Sequence, residues 1–186
     1  MTVNTAQTFI RPEKFWKDIG LRANQSVVHL GSGAGFYLIP AAKIVGSKGR
    51  VVGIDVREDM LREVENRAAR EGLGSEIETI RSDIEDSSNQ PLESESMDWT
   101  LVANILYQAD PNKIFAEAKR VTKKTGFIVV IEWDTAATPL GPPAEHRLTK
   151  EEVIRYALEQ GLLAHQEFSP SPYHFGILFT TQQKNG

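Results

Sequence analysis

Short apolar runs alternate along this chain with segments in which apolar residues recur every three or four positions. The runs are rich in β-branched residues and predict seven strands: 26–30, 50–55, 76–80, 98–104, 126–133, 162–168 and 174–181. Helical spacing predicts helices over about 35–45, over 60–68 and after the capping pair Asp110-Pro111. Thr149 and Glu152 form a capping box that predicts the start of another helix.

Strands that alternate with helices predict an α/β fold in which helices cover both faces of one sheet. The last two strands are separated by only a few residues, which is too short for a parallel crossover. We therefore expect a three-layer sandwich around a mostly parallel seven-stranded sheet, with one antiparallel strand near the edge. No repeat or change of composition divides the chain, so residues 1–186 are predicted to form a single domain.

Composition narrows the classes of function. The 186 residues contain no cysteine, which removes disulfides, thiolate metal sites and cysteine nucleophiles and fits a cytoplasmic protein. A net charge of −4 argues against general nucleic-acid binding. No apolar run is long enough for a membrane span, and the histidines lack metal-ligand spacing, so neither a membrane nor a metal is expected. The oligomeric state is left open.

The segment that carries the most chemistry is VVHLGSGAGF, residues 27–36. Gly31, Gly33 and Gly35 follow a predicted strand and open a helix, where glycine allows a sharp turn and close approach of a ligand. A dinucleotide fingerprint would place glycine or alanine at position 36, where this chain has Phe36. A phosphate-binding Walker loop is excluded, since no Gly-Lys-Ser/Thr follows.

Two aspartates lie at or just after the ends of the second and third predicted strands. Asp55 ends the second strand, where a carboxylate can accept hydrogen bonds from both hydroxyls of a ribose. Asp83 follows the third strand and precedes the apolar Ile84. Taken alone, Asp83 is more often a solvated loop residue, and its order after the first two motifs is what singles it out.

With these motifs in order, the chain resembles the class I methyltransferases that depend on S-adenosylmethionine (SAM), and in particular the small ubiquinone/menaquinone-biosynthesis type. The resemblance covers about residues 27–133 and implies a Rossmann-like sandwich, SAM as cofactor and S-adenosylhomocysteine as product. It implies that Asp55 binds the ribose, Asp83 the adenine amino group and Asn104 the methionine part. The full set of implied cofactor-binding residues is Gly31, Ser32, Gly33, Gly35, Phe36, Asp55, Val56, Met60, Ser82, Asp83, Ile84, Asn104 and Ile105.

His29 departs from the family pattern, which has an acidic residue at this place in the first motif. One interpretation is that His29 weakens cofactor binding or makes it more pH-dependent, because imidazole titrates near neutrality. We favour the simpler alternative, a buried neutral histidine that hydrogen-bonds to backbone.

Methyl transfer from SAM requires alignment of the acceptor, and an oxygen or carbon acceptor also needs a base. The general base is not identified by the sequence, and the candidates are Glu132, His146 and Tyr107. Glu132 ends the central strand beside Trp133, where burial would raise its pKa. Other residues expected near the acceptor are Gln108, Asp134, Arg147, Tyr173 and His174.

The predicted function is methyl transfer to a small-molecule acceptor by direct in-line displacement. The alternatives left open are a SAM-binding protein without catalysis, an NAD-type oxidoreductase, and methylation of RNA or protein. A helical segment within residues 1–25 either closes over the cofactor as a lid or packs as an ordinary amphipathic helix on the sheet.

Overall fold

The computed structural model describes residues 10–135 and 140–181, in which strands and helices alternate as predicted. The strands are β1 (Ser26–Leu30), β2 (Arg50–Asp55), β3 (Ile77–Arg81), β4 (Met97–Ala103), β5 (Thr122–Trp133), β6 (Leu162–Ser171) and β7 (His174–Thr181). The helices are α1 (Pro12–Asp18), α2 (Leu38–Val45), α3 (Glu58–Arg70), α4 (Pro111–Val121) and α5 (Lys150–Glu159). None of the helices in the described part of the chain is long and apolar enough to cross a membrane.

All seven strands form one sheet in the order β3-β2-β1-β4-β5-β7-β6. The first five pair in parallel, and β7 runs antiparallel to both β5 and β6. This confirms the predicted reversed strand, which lies second from the edge. The reversal of sheet order between β1 and β4 places a crevice at the carboxyl ends of the parallel strands, where open α/β sheets bind ligands.

Two apolar clusters, one on each face of the sheet, hold the three layers together. One contains the buried faces of α4 and α5 with Val28 and Leu30 of β1. The other contains buried residues of α1, α2 and α3 with Val27 of β1. Neighbouring residues of β1 therefore contribute to opposite cores, as expected for a central strand covered on both sides.

Several element ends differ from the sequence prediction for identifiable reasons. Helix α2 begins at Leu38, not near residue 35, because the glycine turn occupies the preceding residues. Strand β4 ends before Asn104, whose φ of +55° breaks the extended conformation. Strand β5 begins already at Thr122, whose hydroxyl lies 2.6 Å from that of Thr100 in the neighbouring strand. The predicted caps at Asp110 and Thr149 are confirmed.

Helix α1 packs on the molecule as part of a core. Trp16 is fully buried, and its Nε1 donates a hydrogen bond to the carbonyl oxygen of Tyr37 at 2.9 Å. The Phe15 ring contacts the Tyr37 ring edge-on at 5.6 Å. Helix α1 is thus packed in this structure, and Ile10 just before it lines the cavity described below. The choice between a lid and an ordinary packed helix stays a prediction. Phe9 and the rest of the predicted lid segment before it lie outside the described residues.

Candidate active site

The glycine loop joins β1 to α2 through three residues with positive φ. These are Gly31 at +73°, Gly33 at +50° and Gly35 at +76°. A Cβ on Gly31 would meet Cδ1 of Ile105, the end of a flexible side chain, and one on Gly35 would lie 2.9 Å from Cγ2 of Val64 in α3. Conformation therefore favours glycine at both positions, and at Gly35 the close packing against α3 requires it as well.

Asp55 fixes the loop from the end of β2. Its Oδ2 accepts a hydrogen bond from the N–H of Gly33 at 2.8 Å, and its Oδ1 accepts one from the N–H of Arg57 at 2.9 Å. A carboxylate oxygen can accept more than one hydrogen bond, so each oxygen retains capacity for a ligand hydroxyl. The carboxylate is thus oriented before any ligand binds.

A cavity of about 890 Å³ runs across the carboxyl ends of the strands. Its size is at the upper end of the range for small-molecule sites, roughly 300–1,000 Å³. All the residues that the resemblance implies for the cofactor line it, except Gly35 and Ser82. Gly35 serves the packing of the loop against α3, and the Ser82 hydroxyl donates to the carbonyl oxygen of Asn89 at 3.5 Å.

The formally charged residues that line the cavity come from one end of it. They are Asp55, the last residue of β2, with Arg57 just after it, and Asp83 and Glu85 in the segment after β3. We call this part the charged end. Asp83 is exposed and accepts a hydrogen bond from the N–H of Glu85 at 2.9 Å, and Glu85 in turn accepts one from the N–H of Asp110 at 2.8 Å.

The other part of the cavity, which we call the neutral end, is lined by Ile10, His29, Tyr37, Trp133 and His174. The His29 and Tyr37 rings meet edge-on at 5.6 Å, and the Trp133 and His174 rings lie 4.1 Å apart at an angle of 38°. Trp133 and His174 are direct partners in the β5–β7 pairing, which sets that contact. Sheet pairing therefore brings together residues that are far apart in the chain.

Buried polar atoms without a hydrogen-bond partner collect in this cavity. Among the described residues they are both ring nitrogens of His29, Oγ of Ser32, Oη of Tyr37, Oδ1 of Asn104 and Nε2 of His174. Every one of these side chains lines the cavity. Because a buried polar group without a partner costs free energy, such a concentration is typical of groups kept for a ligand.

Burial keeps both histidines neutral. Loss of solvation lowers the pKa of His29 to about 3, and loss of solvation followed by the nearby charge of Arg147 lowers the pKa of His174 to about 4. Burial, with a smaller effect of Glu132, raises the pKa of Tyr37. His29 is thus a buried neutral histidine. The prediction that it hydrogen-bonds to backbone is wrong, because neither ring nitrogen has a partner among the described residues. Because the pKa of His29 lies so far below 7, its charge does not change near pH 7. This argues against pH-dependent cofactor binding through His29.

Glu132 has a structural role, which the sequence did not predict. Its Oε1 accepts hydrogen bonds from the N–H groups of Ile105 and Leu106 at 2.9 and 2.8 Å, which holds the turn after β4. Burial raises its pKa to about 7, against the effect of these donors. The raised pKa agrees with the expectation, but Glu132 is not among the residues that line the cavity.

The two other candidate bases are also outside the cavity lining. Tyr107 lies on the turn after β4, partly exposed, and His146 lies exposed in a short 3-10 helix, Ala144–His146. Arg147 beside it is buried and donates hydrogen bonds to the carbonyl oxygens of Asp134, Leu140 and Pro142. It organises this loop and does not line the cavity.

Tyr37 is the cavity residue that the sequence prediction missed most clearly. It immediately precedes α2, one turn before Ala41 and two before Val45, on the buried face of that helix. That spacing predicts an inward side chain, and a buried tyrosine hydroxyl requires a partner.

In the described part of the chain, no cluster of three or more His, Asp or Glu residues suits a metal ion.

Comparison with known proteins agrees with this geometry. The family model described as a methyltransferase domain matches residues 21–174. The demethylmenaquinone methyltransferase of Staphylococcus aureus is 28% identical over 130 residues, which are 69% of this chain and 51% of that protein. The ubiquinone/menaquinone biosynthesis C-methyltransferase of Marinomonas sp. is 25% identical over 122 residues, 65% of this chain and 47% of that protein. The chain thus spans about half the length of these relatives.

Among solved structures, a SAM-dependent methyltransferase from Aquifex aeolicus superposes with a TM-score of 0.85 and 29% identity. The alignment covers 95% of this chain and 93% of that one. The likeness therefore extends over nearly the whole of both chains.

Proposed function

The chain belongs to the class I, SAM-dependent methyltransferase family, and from that premise we propose that it transfers the methyl group of SAM to a small-molecule acceptor. The observation that carries the proposal is one cavity that joins the glycine loop and Asp55 to an aromatic neutral end. A cofactor held at the charged end leaves the neutral end for the acceptor. Two adjoining binding regions in one cavity are what a transfer between two small molecules requires.

The residues of the charged end fit the parts of SAM. Asp55 has acceptor capacity for the two ribose hydroxyls, and the glycine loop has no Cβ in the way of a close approach. Asp83 and Ile84 offer a carboxylate and an apolar contact to the adenine. Oδ1 of Asn104, which has no partner among the described residues, offers a hydrogen-bond acceptor to the methionine part.

When bound, SAM supplies a methyl group already activated on a sulfonium. The protein's part is to hold the acceptor lone pair in line with the methyl–sulfur bond and to keep water out. The aromatic walls of the neutral end serve both purposes, and the neutral His174 can accept or donate one hydrogen bond through Nε2. Glu132 acts indirectly, because it holds the turn that carries Asn104 and Ile105 into the cavity.

Thermal unfolding with SAM, S-adenosylhomocysteine, NAD and NADP added separately tests the cofactor. A ligand at about 100 times its dissociation constant adds roughly 2.7 kcal/mol, which shifts the midpoint by about 5–10 °C in a domain of this size. We expect this shift with SAM and S-adenosylhomocysteine and none with NAD or NADP. A shift with NAD instead would contradict the proposal.

Radiolabelled SAM then tests transfer across a panel of small acceptors, with a mixture of proteins and RNA as a separate arm. Label found in small molecules is the expected result. Label found only in macromolecules would contradict the proposed acceptor class. Binding of SAM without transfer to any arm would instead favour the non-catalytic SAM-binding protein.

A further inference from the structure

One side of α3 is directed at the glycine loop. Met60, Val64 and Arg67 follow one another at spacings of four and three residues, so they lie on the same side of the helix. Met60 lines the cavity, and Val64 packs so closely on Gly35 that a Cβ there would lie 2.9 Å from its Cγ2. Arg67 continues this row toward the end of the helix.

Arg67 contacts the loop through its charged group. Its Nη1 donates a hydrogen bond to the carbonyl oxygen of Ala34 at 2.8 Å, between residues 33 positions apart in the chain. A hydrogen bond from a charged donor is roughly twice as strong as one between neutral groups. Because the side chain is partly buried, water competes for this bond less than it does for the ion pairs on the exposed surface.

The glycine loop is thereby held from two directions. Asp55 at the end of β2 accepts a hydrogen bond from the N–H of Gly33, and Arg67 of α3 donates one to the carbonyl oxygen of Ala34. The peptide bond between Gly33 and Ala34 lies between these two contacts, and both residues line the cavity. A loop with three glycines has access to many backbone conformations, so contacts from outside the loop are needed to select one of them.

We propose that Arg67 is a positioning residue for the cofactor, which keeps the glycine loop in its binding conformation by holding the carbonyl oxygen of Ala34. This proposal rests on the proposed methyl transfer and adds to it a residue that does not itself line the cavity. A ligand that meets an ordered loop loses no binding free energy in ordering it. The hydrogen bond from Arg67 therefore contributes to cofactor affinity through the loop.

Substitutions at Arg67 test this inference with S-adenosylhomocysteine as the ligand. Its dissociation constant is measured by isothermal titration at pH 7.5, at a temperature at which circular dichroism shows every variant to be folded. Arg67→Met removes the donor and keeps an apolar side chain, and we expect affinity to fall about fivefold. Arg67→Gln, which is too short to reach the carbonyl, should behave in the same way. Arg67→Lys keeps a charged donor and should recover most of the affinity.

Arg70→Met is the matched control. Arg67 and Arg70 both lie in the last turn of α3, so each substitution removes one positive charge from the same end of the helix. Arg70 pairs with Glu63 on the exposed surface, and neither residue lines the cavity. Affinity for S-adenosylhomocysteine should therefore be unchanged in Arg70→Met.

Hydrogen exchange in the unliganded protein gives a readout that does not depend on binding. The backbone N–H groups of residues 31–36 should exchange several-fold faster in Arg67→Met than in the unaltered protein, because the loop samples more conformations. In Arg70→Met they should exchange at the rate of the unaltered protein. Saturating S-adenosylhomocysteine should remove most of the difference, since the ligand then orders the loop.

An unchanged affinity in both Arg67→Met and Arg67→Gln would overturn the inference even if the thermal midpoint falls, because the contact would then serve stability alone. An equal loss of affinity in Arg70→Met would also overturn it, since the effect would follow from charge. If the unaltered protein fails to bind S-adenosylhomocysteine, that result contradicts the proposed function. The exchange measurement would still decide whether Arg67 orders the loop, and unchanged exchange in Arg67→Met would show that it does not.

Discussion

The two ends of the cavity prepare for a ligand in different ways. At the charged end, Asp55 is already bonded to the N–H groups of Gly33 and Arg57, and the glycine loop is fixed by its backbone conformation. At the neutral end, Tyr37 and His174 have polar atoms without partners among the described residues. The first arrangement is fixed before any ligand binds, although Oγ of Ser32 in the loop has no partner among the described residues. The second costs stability that a ligand can recover, so specificity is concentrated where hydrogen bonds are still unmade.

The two ends also differ in how the chain builds them. The charged end consists of residues at the end of β2 and after β3, and the glycine loop beside it is one continuous segment after β1. The neutral end combines His29 of β1 with Trp133 of β5 and His174 of β7. Changes at the charged end should therefore affect mainly the cofactor, and changes at the neutral end mainly the acceptor and stability.

The largest effect is expected for Asp55→Ala. It removes the charged acceptor proposed for the two ribose hydroxyls, and two hydrogen bonds to a charged group are worth about 3–6 kcal/mol, or roughly 10²–10⁴-fold in SAM affinity. Isothermal titration with SAM measures it. Asp18→Ala is the control, because the exposed Asp18 of α1 pairs with Lys14, neither residue lines the cavity, and affinity should be unchanged. A loss of less than tenfold in Asp55→Ala would contradict the assignment.

An intermediate effect is expected at Glu132, which supports the turn between the two ends. Glu132→Leu leaves the N–H groups of Ile105 and Leu106 without an acceptor and should lower the free energy of unfolding by about 2–4 kcal/mol. Glu132→Gln retains an oxygen for them and should cost less than about 1 kcal/mol and keep turnover. Denaturant unfolding measures both. A folded Glu132→Gln protein that binds SAM but has lost turnover would show that the carboxyl group takes part in proton transfer.

The smallest effect is expected at His29 and depends on pH. Because its pKa falls from 6.5 to about 3 on folding, the unfolded chain binds the proton more readily between these values, and stability declines as pH falls below 6.5. From pH 7.5 to pH 5 this group alone should cost about 2 kcal/mol. His29→Leu should remove that part of the decline and, by removing two unpartnered nitrogens, raise stability at pH 7.5 by about 1–2 kcal/mol.

Denaturant unfolding at the two pH values checks this, with the exposed His146→Gln as a control that should keep the decline of the unaltered protein. The same decline in His29→Leu as in the unaltered protein would show that His29 is not buried and neutral. Reduced SAM affinity in His29→Leu would further show that the cofactor reaches His29 at the neutral end. An unchanged SAM affinity would show that the cofactor does not depend on His29.

The sequence by itself determined most of the fold and the backbone of the charged end. Apolar periodicity, caps such as Asp110 and the glycine turn are local features, and local sterics and hydrogen bonding act in the same way in any chain with those residues. The order of Gly31, Asp55 and Asp83 after three successive strands was sufficient to predict that they meet, since parallel strands end at one edge. From Phe36 the sequence predicted that the chain is not a dinucleotide-dependent enzyme, and this prediction agrees with the match to the methyltransferase family model.

Only the tertiary structure decided the neutral end and the direction of Glu132. Which side chains meet there depends on the pairing of β5 with β7 and on the way α2 lies on the sheet, and both join residues distant in the chain. Whether a buried polar atom finds a partner is likewise a property of the packed interior. Glu132 accepts hydrogen bonds from two backbone N–H groups, whereas Nε2 of His174 has no hydrogen-bond partner among the described residues. Residue type alone cannot distinguish these cases, because hydrogen bonds form only between groups that the fold brings within about 3 Å.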